Sequence, residues 1–568
     1  MQTAVSLDAP AGKRRKKFRA GALACAPTRS HAALAVLSAF LLIVSFPDFN
    51  LWPLAWVGLV PLLVAIARVT RPRQAFVLGW LTGALFFYGS CWWLTHSMIH
   101  YGGLPRPLAF ALLVPIVVIV GLFPATFAHV LARLCARWGV YALLAAPFLW
   151  AASEWARLGV TGQLWNAIGY SQAFHPALIQ TATWGGVYAV GFLLVAVNAV
   201  VALILMKRDM RSFNIAALVL IAAGLVFALT DLFPLSIPDS DNSGPQAYTV
   251  IIAIQPNVSV NFGRSTEETE TLVNRHLTMS ADALRAWEQK QDAEAKREAE
   301  RSRLSGTSAY LYDLRRVVIW PESPMNFAYA KDDEFRELVR RFARAEQTSV
   351  LFNSLEPAPA GGAYNSAVLV NEAGRLVAQY DKIRLLPFGE YVPLPRWFPP
   401  AWLVSGIVGE FTPGANYTLV PIGGETRAGV FICFESAFPS IARRFTDAGA
   451  DVLINISNDG YLGQTPVLRQ HLANAVFRAV ENRRDVLRVT NTGISARITL
   501  RGEVLDATGS FQPAVRTWTV TRAIGGKTFY TRHGDLFVAL CALLSVFMLA
   551  SSFDIARGSK SGGGASYE

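Results

Sequence analysis

The chain has 568 residues, of which 52% are hydrophobic and only 16% charged, and it carries a formal net charge of +12. A soluble domain is about 25% charged, so this composition excludes a disordered chain, a collagen-like chain and an ordinary soluble multidomain enzyme. The positive charge requires no nucleic acid, because much of it lies in short loops suited to anionic lipid headgroups.

The hydrophobicity is concentrated at the N-terminal side. Between His31 and Ser236 the only acidic residues are Asp48, Glu154, Asp209 and Asp231. A basic segment, 1–30, carries Lys13, Arg14, Arg15, Lys16 and Lys17 and reads as a signal anchor rather than a cleaved signal peptide. It is followed by a membrane domain, 31–236. A bilayer-crossing helix needs about 20 apolar residues. Seven candidates fit, at 31–47, 51–67, 74–95, 107–132, 139–156, 183–206 and 213–234, and an eighth at 535–553. The short connections with Arg68, Arg71 and Arg73, with Arg133 and Arg137, and with Lys207, Arg208 and Arg211 alternate along the chain, and Arg557 and Lys560 lie in the tail, 554–568. By the bias of cytoplasmic loops toward Lys and Arg, eight spans put both termini in the cytoplasm. Residues 247–531 then lie outside it. In the fifth segment Glu154 and Arg157 can either pair with each other or bind a headgroup.

Residues 247–531 have the charge and turn content of a soluble domain. Apolar strands are expected at Tyr248–Ile254, Arg316–Trp320, Ser349–Ser354, Ser366–Asn371, Ala428–Ile432, Val452–Ser457 and Leu487–Thr490. They alternate with helices near Thr266–Glu288, Asp333–Glu346, Phe438–Ala448 and Leu468–Asn482. This pattern predicts an α/β sheet covered on both faces. The polar stretch 288–303 reads as a solvated helix extension or a loop. Of the five cysteines only Cys433 falls in this domain, so it has no internal disulfide partner there.

Three segments carry candidate chemistry. In Trp320-Pro321-Glu322-Ser323 a carboxylate follows an apolar strand. In Lys382 to Pro393 a Lys and Glu390 share a loop stiffened by Pro387 and Pro393. In Ile432-Cys433-Phe434-Glu435 a thiol stands where a strand enters a helix, and the helix dipole there is expected to favour thiolate. Each alone is weak, since a strand-end Cys is commonly a small core hydrophobe. Together they supply a nucleophile, a base in Glu322 and a cation in Lys382 for an oxyanion. His471 is the nearest His, sits in a helix and is not required by this chemistry.

Trp320-Pro321-Glu322-Ser323, Lys382 with Leu386-Pro387-Phe388-Gly389-Glu390-Tyr391-Val392-Pro393, and Cys433-Phe434-Glu435 resemble the nitrilase superfamily of carbon–nitrogen hydrolases. Trp150-x-x-x-Glu154-x-x-Arg157, Trp165 to Gln172, Ile456 to Gly463 and Thr490 to Ser495 narrow the resemblance to bacterial apolipoprotein N-acyltransferases, over about 30–553. The resemblance implies a polytopic α-helical membrane domain plus an α/β nitrilase-like αββα sandwich. It implies Glu322 as general base, Lys382 as oxyanion stabiliser and Cys433 as nucleophile, with Glu390 and Glu435 supporting them. Phe434, Asn458 and Tyr461 are expected on the substrate side. The implied reaction takes an acyl chain from a phospholipid, phosphatidylethanolamine in the usual case, through a Cys thioester to a diacylglyceryl-modified apolipoprotein. No cofactor and no metal are implied, and the implied location is the bacterial inner membrane with the catalytic domain in the periplasm. The sequence departs from the family pattern at Gly263-Arg264, at Gly460-Tyr461-Leu462 and at Phe434.

The segment Tyr391–Phe411 is unusually apolar for a loop. Trp397, Phe398 and Trp402 suit a lid at the bilayer interface; the other reading is a loop packed on its own domain. Two rival functions fit the sequence less well. A membrane-tethered amidase or nitrilase hydrolysing a C–N bond leaves the many spans and the apolar loop unexplained. A transporter would need charges along a path, and only Glu154 comes near.

Overall fold

The computed structural model describes residues 27–47, 49–232, 248–260, 265–305, 314–322, 327–359, 361–392, 411–523 and 525–554. The lid aromatics Trp397, Phe398 and Trp402, the N-terminal basic run, Gly263-Arg264 and the tail basic residues fall outside these.

All eight apolar segments contain helix. They are α1 (Arg29–Ser45), α2 (Val60–Arg68), α3 (Pro72–Ser90), α4 (Leu94–His100), α5 (Arg106–Val120), α6 (Leu122–Trp138), α7 (Ala146–Thr161), α8 (Ala182–Met206), α9 (Met210–Leu232) and, after the catalytic domain, α15 (Leu536–Asp554). Among the described residues three helices are long and apolar enough to cross a membrane: Arg106–Trp138, Ala182–Met206 and Leu536–Phe553. The pair α3 and α4 is a fourth if it forms one span, bent by 51°. Shorter apolar helices lie at Arg29–Ser45, Trp52–Arg68 and Met210–Val226. The second segment is divided because Pro53 and Pro61 break the backbone ladder, leaving a short 3₁₀ turn before α2.

The helical block has two distinct ends. At one, Arg133 Nε donates to Ser552 Oγ at 3.1 Å, and Arg211 lies 4.8 Å from the centre of the Tyr141 ring. His129 Nδ1 is 3.2 Å from the Pro72 carbonyl at the same end. The basic connections therefore meet there. The catalytic domain meets the opposite end, at Ser90, Trp93, Trp165 and Val187. There α8 is kinked at Gly185–Gly186, where Gly186 has φ +62°. The freed Val187 N–H donates to Glu481 at 3.1 Å. A side chain at Gly186 would strike Tyr530 at 2.9 Å, so glycine is needed for both the angle and the space.

The catalytic domain holds two six-stranded sheets. Its strands are β1 (Tyr248–Gln255), β2 (Leu314–Ile319), β3 (Ser349–Pro357), β4 (Ala363–Val370), β5 (Leu376–Asp381), β6 (Leu419–Gly423), β7 (Thr426–Ile432), β8 (Val452–Ser457), β9 (Val486–Thr490), β10 (Ala496–Ile498), β11 (Val504–Leu505) and β12 (Ala514–Val520). The orders are β12-β1-β2-β3-β4-β5 and β11-β10-β9-β8-β7-β6. β1–β2–β3 and β7–β8–β9 run parallel, and the flanking strands are antiparallel. Alternation along the strands builds the layers. Val250, Ile252, Val318 and Val350 pack with Phe335, Val339 and Ala343 of α11 (Asp333–Ala345), beneath α10 (Thr266–Ser305). Their neighbours Ile251, Ala253, Val317 and Leu351 join the core between the sheets. The second sheet is covered by α12 (Pro439–Asp447) and α13 (Val467–Asn482), and α14 (Phe529–His533) leads into α15. The expected αββα sandwich is thus present, and the polar stretch 288–303 is the helical extension of α10. β5, β6 and β10 to β12 were not foreseen, because they are short or carry exposed residues that blur the apolar pattern.

Candidate active site

Each candidate catalytic residue follows a strand. Glu322 lies just past β2, where Trp320, fully buried, donates Nε1–H to Ser280 on α10 at 3.0 Å. Lys382 directly follows β5, and its own backbone N–H donates to the Asn365 carbonyl on β4 at 2.8 Å. Cys433 follows β7 and has φ +52°, the left-handed region that a residue with a Cβ rarely adopts. Asn458 follows β8. The carboxyl ends of strands from both sheets therefore converge, the position where α/β sheets place reacting groups.

The groups are tied together by direct bonds. Lys382 Nζ is 2.9 Å from Glu390 Oε1 and 3.7 Å from Glu322 Oε1. Asn365 Nδ2 donates to Glu390 Oε1 at 2.7 Å and to Glu322 Oε1 at 3.0 Å, bridging both carboxylates. The Asn458 N–H donates to the other oxygen of Glu322 at 3.0 Å, and the Leu386 N–H to the other oxygen of Glu390 at 2.7 Å. Glu435 is fully buried behind the site. It accepts from the N–H groups of Ile383 and Arg384 at 2.8 and 3.0 Å, from Ile432 at 2.8 Å and from the Tyr380 hydroxyl at 2.8 Å. It therefore straps the Lys382 loop to the strand that delivers Cys433.

Burial and neighbouring charges act on these groups in opposite directions. Burial alone would lower the Lys382 ammonium, but Glu390 and Glu322 outweigh it and hold it above its ordinary value. Burial pushes the Cys433 thiol up, Glu322 adds to this, and Lys382 opposes it. The expected dipole-stabilised thiolate is thus corrected. Cys433 opens a 3₁₀ turn of only five residues, Cys433–Ala437, which has little dipole, and the low-dielectric surroundings favour the neutral thiol. A thiol in that state needs a base to act as a nucleophile, and Glu322 is the carboxylate that acts on it most strongly.

Behind Cys433 lies a set of residues whose role the sequence reading missed. His471 Nε2 is 3.0 Å from the Cys433 carbonyl, and its Nδ1 is 2.8 Å from Asp459 Oδ1. Arg488, fully buried on β9, donates to Asp459 Oδ2 at 2.8 Å and to Asn455 Oδ1. Burial would raise the Asp459 carboxyl, but Arg488 and His471 hold it far below the carboxylate range. One position earlier on α13, Gln470 accepts from the indoles of Trp93 and Trp165 at 3.0 and 2.8 Å. Its amide donates to the Ser90 and Pro47 carbonyls at 3.0 and 3.2 Å. The helical spacing and the polar residues of 467–482 were visible in sequence, but not which partners they met.

Phe434 stacks on Trp165 with ring centres 5.9 Å apart. Tyr461 packs edge-on against Tyr101 at 5.6 Å, and its carbonyl accepts from Ser97 at 2.7 Å. Phe434 therefore meets the loop after α7, and Tyr461 meets α4 and the residue that follows it. Glu154 and Arg157 do not pair with each other within 4 Å. Glu154 accepts from the Ile168 N–H and Arg157 donates to the Trp165 carbonyl, each at 2.8 Å. Together they shape the segment that carries Trp165. Among the described residues no three His, Cys, Asp or Glu side chains group as metal ligands.

Residues 38–200 match the family model described as the apolipoprotein N-acyltransferase N-terminal domain, and residues 316–527 match the carbon-nitrogen hydrolase model. An apolipoprotein N-acyltransferase of Geobacter metallireducens is 33% identical over 92% of this chain and 95% of its own. The chain belongs to the apolipoprotein N-acyltransferase family. A second member, from Chlorobaculum tepidum, is 30% identical over 89% of this chain and 94% of its own. Among solved structures an amidase from Nesterenkonia sp. is 14% identical with a TM-score of 0.33, covering 52% of this chain and 96% of its own. A nitrilase-superfamily protein of Saccharomyces cerevisiae is 17% identical with a TM-score of 0.34, covering 49% and 92%. This acyltransferase is a membrane protein whose helical block and carbon–nitrogen hydrolase domain match separate models.

Proposed function

We infer that this acyltransferase takes a fatty acyl chain from a phospholipid, phosphatidylethanolamine in the first instance, and holds it as a thioester on Cys433. It then passes the chain to the α-amine of the N-terminal diacylglyceryl-cysteine of an apolipoprotein. The observation that carries this reading is the meeting of Cys433, Glu322 and Lys382 in a domain bonded through Gln470 into a block of apolar helices. Donor and acceptor are both lipids confined to a bilayer, so a thiol held beside the bilayer can meet each in turn.

In the first half-reaction Glu322 takes the thiol proton as Sγ attacks the ester carbonyl carbon. The carbonyl electron pair moves to oxygen, and Lys382 neutralises that charge. The bond to the glycerol oxygen breaks, and Glu322 returns the proton to that oxygen as lysophospholipid leaves. In the second half the amine attacks the thioester carbon, Glu322 takes an amine proton, the C–S bond breaks and Cys433 is reprotonated. Excluding water during the thioester stage favours transfer over hydrolysis. We assign the protein to the bacterial inner membrane with eight spans and the catalytic domain on the periplasmic side. The clustering of basic connections at the end of the helical block remote from that domain supports this orientation.

Purified protein incubated with phosphatidylethanolamine alone should gain one acyl mass on Cys433, released by hydroxylamine. Adding a diacylglyceryl-cysteine peptide should then give the N-acylated peptide. An unmodified Cys433 after incubation with phospholipid overturns the reading, and release of ammonia from small amides without acyl transfer would favour an amidase.

A further inference from the structure

Cys433 adopts an unfavourable backbone angle, φ +52°, and something must hold it there. Its carbonyl accepts two hydrogen bonds, from His471 Nε2 at 3.0 Å and from Asn455 Nδ2 at 3.5 Å. Both donors lead back to one residue. Arg488 donates to Asn455 Oδ1, and it donates to Asp459, which in turn accepts from His471 Nδ1. Arg488, Asp459, His471, the Cys433 carbonyl and Asn455 thus form a closed ring of hydrogen bonds. Next to it on α13, Gln470 is bonded to four groups of the helical block. The frame that holds the nucleophile is therefore fastened to the membrane side of the protein.

We propose that His471 is a positioning residue for acyl transfer. It pins the Cys433 carbonyl so that the strained turn keeps Sγ facing Glu322 and Lys382. It touches neither the acyl group nor the thiol proton. Small displacements of a nucleophile cost about 10²-fold in rate, so this role acts on the chemical step and not on lipid binding.

This inference rests on the thioester reading above, and the experiment separates the two. Full-length protein in phospholipid–detergent micelles is used, and the rate of Cys433 acylation is read by intact mass over a range of phosphatidylethanolamine. In His471→Asn the amide can reach Asp459 but not the Cys433 carbonyl. In His471→Gln the longer amide can still reach that carbonyl. Acylation should slow about 10²-fold in His471→Asn at an unchanged donor KM, and His471→Gln should recover most of that loss. Equal slowing in both variants, a full rate in His471→Asn, or a loss carried by KM overturns the proposal. If His471→Asn does not fold, His471→Phe decides, because it fills the space of the ring but has no donor for the Cys433 carbonyl. The same slowing at constant KM is expected, and an unchanged rate overturns the proposal. A wild-type protein that acquires no acyl group at all would instead defeat the thioester reading.

Discussion

Glu390 holds the ammonium of Lys382 at 2.9 Å, closer than any other acid. Lys382 is buried, and both Glu390 and Glu322 depend on it for their counter-charge. Lys382→Met would leave two carboxylates facing each other in a site of low dielectric. Breaking a buried ion pair in this way costs about 3–5 kcal/mol. Removing the proposed oxyanion partner should also lower acyl transfer about 10²–10³-fold. Thermal unfolding in detergent and thioester formation measure the two effects. A stable Lys382→Met protein with normal transfer would refute both.

The turn at Cys433 can be tested apart from its thiol. Cys433→Ala and Cys433→Gly both remove the proposed nucleophile and should abolish thioester formation while the protein stays in the membrane. They differ in the φ they prefer. Glycine adopts φ +52° without penalty, so Cys433→Gly should be more stable than Cys433→Ala by about 1 kcal/mol. Thermal melts of the two inactive variants measure the difference, and equal stability would remove strain from the account.

Glu481 predicts a pH dependence of stability. It is fully buried where α13 meets the kink of α8. Burial pushes its carboxyl up to about 7, against the opposing pull of Arg478, from an ordinary value near 4.5. A raised carboxyl pKa means that the folded protein binds the proton more tightly than the unfolded chain. The resulting stability is present below about pH 4.5 and is lost as pH rises through about 7. Glu481→Gln cannot lose that proton. The melting temperature of wild type should therefore fall relative to Glu481→Gln between pH 5 and pH 8, conditions chosen to bracket about 7. Parallel curves would exclude the effect.

Gln470 should be intolerant of an apolar replacement. Gln470→Met keeps the volume but orphans two indole N–H groups and two carbonyls. Buried polar groups left unsatisfied cost about 1–3 kcal/mol each where no water can reach them. The melting temperature should fall, and acyl transfer with it, because the same helix carries His471. A loss of stability with full transfer would uncouple the two sides of α13.

Orientation is open to a labelling test. Glu372→Cys, on the exposed side of the catalytic domain, should react with a membrane-impermeant thiol reagent in intact spheroplasts. Arg137→Cys, at the basic end of the helical block, should react only after lysis. Each is read against the background of the native cysteines, and the reverse result would invert the topology.

The sequence by itself determined the two-part construction, the apolar segments and the three motifs that meet in the site. Those features are local. Hydropathy over a window, a strand followed by Pro and Glu, or a Cys at the end of β7 needs no knowledge of distant partners. Most of the strand and helix positions followed from the same local periodicity. The tertiary structure decided the rest. Asn365 bridges Glu322 and Glu390 only because β4 lies between β3 and β5, and the register brings residues 43 and 25 positions away to one amide. Gln470 and His471 are neighbours in the chain, yet one is bonded to the helical block and the other to the nucleophile's carbonyl. The thiol's protonation depends on burial, which a helix-terminus argument from sequence does not contain. Hydrogen-bond partners and desolvation are properties of packing between segments remote in sequence, so the motifs could be recognised from the chain while the frame that holds them could not.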